Sequence, residues 1–283
     1  MTGIVQLQTA LETKSTPSGN RSSLPVSVLL SFAVIVFVVL FSAFPSLFTS
    51  HSPELGDTSA KLVSPGLHHW FGTDYLGRDV FTRVVYGSLP SVSSALAAVI
   101  IGLVVGSGIG LLAGFLGGWV DSALGRIVDV LLAIPGFLLA VVIVSSLGFQ
   151  TINAAIATGV SAIAVFGRLM RAEVIKIRGA AFVESSFLSG GNRLQALIFH
   201  VLPNAGRSVL VLAILQFGTS IMVIASLAFL GYGDPPPSSD WGLLVASGKE
   251  YPTAPWLIYA PAAVIVATVL SVNRISRWLK KVR

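Results

Sequence analysis

The sequence predicts an all-α membrane protein of six transmembrane helices with both termini in the cytoplasm. Three observations lead there. Of the 283 residues, 54% are hydrophobic and only 11% charged, whereas soluble domains average about a quarter charged. The mean hydropathy is +0.85, which on a water-soluble fold would force large exposed apolar patches. The apolar residues also fall in long runs, and a helix crossing a bilayer needs about 20 mostly apolar residues.

Residues 1–25 are polar, rich in Ser, Thr, Gly and Pro, and read as a cytoplasmic tail. The first span is 26–48. It is too long for a signal-peptide core, and no clean small-x-small cleavage site follows it. Residues 49–88 form a polar external loop with Pro53, Pro65, His51, His68 and His69. A five-helix core over 89–273 follows. Its first span, 89–115, carries the small-xxx-small pairs Gly106/Gly110 and Gly110/Gly114, which permit close helix contact in lipid. A polar turn is expected over 117–126. The next span is 127–147, interrupted at Pro135-Gly136, where freed backbone groups need partners from neighbours or water. Then come a span at 151–170, a long cytoplasmic insertion at 171–206, a span at 208–230, a Pro-rich loop at 231–254 and a last span at 255–272. A basic cytoplasmic tail closes the chain over 274–283.

The charges fix the expected orientation. With the N-terminus inside, only Lys61, Arg78, Arg83 and Lys249 of the 18 Lys and Arg lie outside. Cytoplasmic loops of membrane proteins carry that excess. The net charge of +6 therefore calls for no nucleic-acid partner. There is no cysteine, which excludes disulfides, thiolate metal sites and Cys nucleophiles.

No Lys, Arg or Glu stands in the middle of a span, and Asp129 lies near the start of one. Charges at mid-membrane usually mark ion or proton pathways, so ion-coupled transport is disfavoured. The polar residues near the spans are mild: Gln150, Asn153, Gln216, Thr219, Ser220 and Ser226. They either line a water-filled route or bond between helices, and Asn153, Gln216 and Ser220 are the candidate pathway residues. No G-x-x-x-x-G-K-[ST] phosphate loop occurs. The chain is therefore expected to be no enzyme, with energy entering through a separate ATPase docked on the 171–206 insertion.

Within that insertion stand Glu184-Ser185-Ser186, then Gly190, then Leu202-Pro203 twelve positions after that glycine. This resembles the Glu-Ala-Ala loop of ABC importer permeases, with serines at both alanine positions. Phe71-Gly72-Thr73-Asp74-Tyr75-Leu76-Gly77-Arg78-Asp79, continuing to Arg83, looks like the segment after the first span in the dipeptide/oligopeptide/nickel permeases of the C-subunit type. Asp129 to Pro135 is similar to that family's third-span entry. Phe229-Leu230-Gly231-Tyr232-Gly233, Pro235-Pro236 and Trp241-Gly242 resemble its loop before the last span.

The resemblance implies a type I ABC importer permease fold in the cytoplasmic (inner) membrane. It implies a heterodimer with a homologous permease, ATPase subunits that bind ATP and Mg, and an extracytoplasmic peptide-binding protein. No cofactor is implied for this chain. Glu184 to Gly190 would form the coupling helix, and short peptides would be the cargo. Nickel remains an alternative cargo of the same family, and a secondary transporter or a membrane scaffold remains an alternative class. The cluster Gly72, Thr73, Asp74, Gly77, Arg78 and Asp79 is expected to tie the external loop together by ion pairs or to face the binding protein. The segment is not read as a metal site, since no His–carboxylate metal spacing accompanies it, and His68-His69 reads as exposed loop, as adjacent histidines on a polar loop usually are.

Overall fold

The computed structural model describes residues 25–181, 183 and 192–281. Among them the regular structure is helical, with one isolated bridge between Thr73 and Asp79. Helix α1 is Val26–Ala43, and two short 3-10 turns, Pro45–Leu47 and Thr58–Ala60, follow it. Helix α2 is Val80–Ile101. It runs through a π-helical turn, Gly102–Gly106, into α3, Ser107–Leu116. Then come α4, Gly118–Ala133, α5, Gly136–Leu147, and α6, Thr151–Arg178. A helical turn at Arg193–Ala196 and a π turn at Leu197–Val201 lead into α7, Leu202–Phe229. Helices α8, Trp241–Gly248, and α9, Trp256–Lys281, complete the described chain.

Among the described residues, five stretches are long and apolar enough to cross a membrane: Val26–Ala43, Val80–Leu116, Thr151–Arg178, Leu197–Phe229 and Trp256–Lys280. The α4–α5 pair makes a sixth if counted as one span, but it is bent by 91°. The cause is local. Ile134 precedes Pro135 and takes an extended conformation at ψ 127°, as a pre-proline residue prefers. The break is also fastened to α6, where Ser161 Oγ donates to Gly136 O at 3.0 Å.

Several boundaries differ from the sequence reading. The second span starts at Val80, inside the expected 49–88 loop, because Asp79 caps it by accepting from Thr82 N at 2.7 Å. The expected polar turn at 117–126 is helical from Gly118 onward. The turn itself is Gly117 and Gly118, at φ +68° and +56°, a conformation that favours glycine. The insertion is shorter than 171–206, since α6 continues to Arg178 and α7 begins at Leu202. The last span reaches Lys281 and takes Arg274 and Arg277 onto a helix. The 231–254 loop contains α8.

The helices pack through small residues. The α2–α3 glycine stripe lies along α6: Gly102 faces Ala162 and Phe166, while Gly110 sits against the Gly167 carbonyl. The small-xxx-small pairs thus set the closest helix approach, as expected in lipid. One core joins α1, α2, α5, α6, α7, α8 and α9 around Val84, Val144, Leu227 and Trp241. A second joins α6 and α7 around Phe166, Met170, Val201 and Val209. One end of the bundle carries the 44–79 segment, the α5–α6 turn and the 230–255 segment. The other carries the α3–α4 turn and the ends of α6 and α9, where Arg274 Nη2 donates to Ser27 Oγ at 2.6 Å.

Candidate functional site

The loop-bearing end is organised around Asp74. Gly72 and Gly77, at φ +72° and +77°, turn the chain sharply on either side of it. A Cβ on Gly77 would fall 1.8 Å from Asp57 O, so both the turn and the contact require glycine. The Asp74 Oδ1 accepts from Leu76 N at 2.8 Å and Arg78 N at 3.0 Å. Its Oδ2 accepts from Arg78 Nε at 2.7 Å and Arg83 Nη1 at 2.8 Å. All three charged side chains are buried, 3–5% exposed. Thr73 Oγ1 accepts from Val63 N at 2.8 Å and donates to Ala60 O. Asp79 caps α2 and meets His69 Nδ1 at 2.9 Å. The six loop residues singled out in the sequence therefore lie together; His69 joins them and His68 stays exposed.

Sequence reasoning missed the far side of this network. Arg83 Nη2 donates to Ser238 O at 2.9 Å, and Arg83 Nε to Ser239 Oγ at 3.3 Å. Trp241 Nε1 donates to Val84 O at 2.9 Å, and Trp256 Nε1 to Thr73 O at 3.1 Å. The loop after α1, the start of α2, the loop after α7 and the start of α9 are thus one unit. Asp240 caps α8, accepting from Gly242 N at 3.0 Å and Leu243 N at 3.1 Å. An Asp just before a helical run was the available signal. Burial pushes the Asp240 carboxyl up to about 6 against those two stabilising hydrogen bonds.

Of the three candidate pathway residues, Gln216 and Ser220 stand one turn apart on α7, and Asn153 lies in the first turn of α6. Asn153 Nδ2 donates to Leu147 O and Gly148 O, both at 3.0 Å, and so caps the C-terminus of α5. Ser220 is fully buried, so its hydroxyl reaches no open route from this chain. Gln216 is half-buried on α7. The exposed hydroxyl residues of α7 are Thr219 and Ser226, which bond back to Leu215 O and Met222 O.

Of the coupling residues, Glu184, Ser185, Ser186 and Gly190 lie outside the described residues. Leu202 and Pro203 open α7 directly after the π turn, and both are exposed. At the same end, Arg171 Nη2 donates to Asp121 Oδ2 at 2.8 Å and Arg178 Nη1 to Phe115 O at 3.0 Å. The last turns of α6 are thereby clamped to the α3–α4 turn. With Arg171 40% and Asp121 23% exposed, the pair contributes little in energy. Asp121→Asn should cost about 0–1 kcal/mol, read as a thermal-midpoint change within a few degrees of wild type. A loss several times larger would mean that the pair is shielded from water in the assembly.

A model of the family described as "Binding-protein-dependent transport system inner membrane component" matches residues 106–282. The chain is 37% identical to the dipeptide transport system permease protein DppC of Alkalihalophilus pseudofirmus, over 89% of this chain and 83% of that protein. It is 35% identical to the probable D,D-dipeptide transport system permease protein DdpC of Escherichia coli, over 86% and 82%. It is 36% identical to the glutathione transport system permease protein GsiD of Pectobacterium atrosepticum, over 76% and 72%. The fold is similar to that of an amino acid ABC transporter crystallised with histidines, at a TM-score of 0.56 and 14% identity, over 72% of this chain and 95% of that one.

Proposed function

The chain belongs to the binding-protein-dependent transport system inner membrane components, and from that premise we propose that it is one permease of an ATP-driven importer of short peptides. The observation that carries this reading is similarity over most of the chain to permeases named for dipeptides and for glutathione. The substrate class follows from their shared peptide chemistry. A homologous permease completes the translocation route, and ATPase subunits bind ATP and Mg. This chain binds no cofactor, and an extracytoplasmic binding protein delivers the peptide. The Asp74-centred end faces outward and both termini face the cytoplasm, in keeping with the distribution of basic residues.

The mechanism follows from where the long helices end. The 184–190 segment lies between the end of α6 at Arg178 and the start of α7 at Leu202. ATPase closure bears on that segment and moves two long helices as rigid bodies. A packed interface switches between discrete arrangements rather than bending smoothly. The bent α4–α5 pair packs on α6 and is tied to it by Asp121–Arg171, so it follows. At the outer end, the Asp74–Arg83 network keeps the loops after α1 and α7 as one docking surface.

Uptake of a radiolabelled dipeptide in cells holding the full transporter tests the reading, with unlabelled dipeptide and Ni²⁺ as competitors. Competition by peptide alone supports it; competition by nickel alone overturns the substrate class. Gly190→Trp should abolish uptake while the chain still reaches the membrane at normal levels, and normal uptake would remove the coupling assignment. Orientation is testable directly because the chain has no cysteine. A single cysteine at Lys61 should react with an impermeant maleimide in intact cells, and one appended after Arg283 should not.

A further inference from the structure

At the end of the bundle opposite the Asp74 network, α1 and α9 enclose a cavity of about 170 Å³ lined by Pro25, Val28, Arg274, Arg277 and Trp278. Its depth in the membrane follows from helix length. Helix α1 has 18 residues and rises about 27 Å, close to the thickness of the hydrocarbon core. Its first turn therefore marks one boundary of that core. Helix α9 has 26 residues and at about 39 Å overshoots it. The bond from Arg274 Nη2 to Ser27 Oγ at 2.6 Å sets the Arg274 guanidinium level with that boundary. Arg277 stands one turn further along the same face of α9. The Trp278 ring packs edge-on against Phe32 at 6.3 Å, as suits an indole where hydrocarbon meets headgroups. No acidic residue lines the cavity. Among the described residues neither arginine takes part in an ion pair. Arg274 donates from Nε and Nη2 to Ser27 Oγ, and Arg277 from Nε to Asn273 O of its own helix at 3.3 Å. Each guanidinium has five N–H groups, so both keep donors for a further partner.

We propose that this cavity binds the phosphate of one anionic phospholipid, held between Arg274 and Arg277. Two like charges on neighbouring turns of one helix face repel, and an anion between them removes the repulsion. The guanidinium fork matches phosphate oxygens with paired hydrogen bonds. A bilayer carries its phosphates at this depth, and basic pockets between spanning helices take anionic headgroups. A headgroup with its own ammonium offers no net charge to two cations, which selects phosphatidylglycerol over phosphatidylcholine. The acyl chains have a surface to follow, since Val26, Leu29 and Leu30 of α1 are 72%, 60% and 62% exposed. Bound there, the lipid joins the start of α1 to the end of α9. The binding itself is independent of the importer reading; that the site lies in the cytoplasmic leaflet rests on the orientation proposed above.

The assembled transporter is purified in mild detergent, and bound lipid is counted by native mass spectrometry as phosphatidylglycerol is titrated in. Wild type should hold one phosphatidylglycerol more than the double variant Arg274→Gln, Arg277→Gln. Arg277→Gln alone loses only a bond within its own helix and should fold normally. It should bind that lipid about fivefold more weakly, the contribution of one basic side chain near an anionic headgroup. Arg126→Gln removes an exposed cation of α4 outside the cavity and should leave the affinity unchanged. Equal affinity in wild type and Arg277→Gln overturns the proposal. So does an equal loss in Arg126→Gln, which would mean a diffuse field of charge. Equal retention of phosphatidylcholine would mean that acyl chains alone are held, and displacement by excess inorganic phosphate would mean a site for the free ion; either overturns the proposal. Lipid binding that appears only after residues 1–24 are deleted overturns it as well, since the chain's own tail would then fill the cavity. None of these readouts depends on peptide uptake, so failure here and failure of the importer reading are separate results.

Discussion

Asp74→Ala should leave almost no folded transporter in the membrane. The substitution removes the acceptor of two buried guanidiniums, Arg78 and Arg83, and strips two backbone N–H groups, of Leu76 and Arg78, of their partner. Breaking a buried ion pair from one side costs about 3–5 kcal/mol, because the remaining charge stays buried without compensation. Here two like charges are left side by side, so the upper end applies. Domains are stable by only about 5–15 kcal/mol, and such a loss empties much of that margin. The measurement is membrane abundance by immunoblot, with the thermal midpoint of whatever assembles. Adding Arg78→Met to Asp74→Ala should recover part of the loss by removing one of the two stranded cations. A normal level and midpoint for Asp74→Ala alone would show that water reaches this network. The Asp121–Arg171 pair, with similar bonds but open to solvent, sets the contrast: the same chemistry differs several-fold in effect because of burial alone.

The second large effect lies in the glycine stripe. Gly110→Leu should drive α3 away from α6 and lower the thermal midpoint by several degrees or prevent assembly. A Cβ at Gly110 would stand 2.3 Å from the Gly167 carbonyl oxygen and 2.9 Å from Arg171 N. Those are backbone atoms, so no rotamer change relieves the overlap and the helices themselves must part. Overpacking in well-packed interiors costs about 1–3 kcal/mol, and a clash with backbone belongs at the top of that range. Gly108, two residues earlier on the same helix, has nothing within 4 Å of its would-be Cβ. Gly108→Ala should be neutral or stabilise by up to about 1 kcal/mol, since alanine is the better helix former. The two variants together separate packing from propensity. If both behave alike, the α3–α6 contact is not the closest approach in the assembled protein.

Much of the fold was legible in the sequence. The apolar runs located the five straight candidate spans among the described residues, and the Pro135-Gly136 break marked the stretch that bends instead of running straight. Its 91° bend and its helical start at Gly118 were not legible. The former depends on Pro135 holding Ile134 extended and on how the pair packs against α6; the latter depends on Gly117 and Gly118 turning within two residues. The candidate pathway residues fared differently. Asn153, Gln216 and Ser220 were chosen for polarity near a span, which says nothing about the face of the helix. Ser220 turned out to be inside and Thr219, its neighbour, outside. One position on a helix is about 100° of rotation, and an apolar run carries no phase when lipid and core are equally greasy.

The sequence by itself determined that the chain lives in a bilayer, about how often it crosses, and which family it resembles. Hydropathy and short motifs are local sums, and each stretch expresses them wherever it ends up. Only the tertiary structure decided that Asp74 serves Arg78 and Arg83 together, that Arg83 reaches Ser238 across the bundle, and that Asp240 keeps one carboxylate oxygen without a partner. Those are properties of groups far apart in the chain that meet in a low-dielectric interior. There the strength of a charge is set by its neighbours and its burial rather than by its place in the sequence.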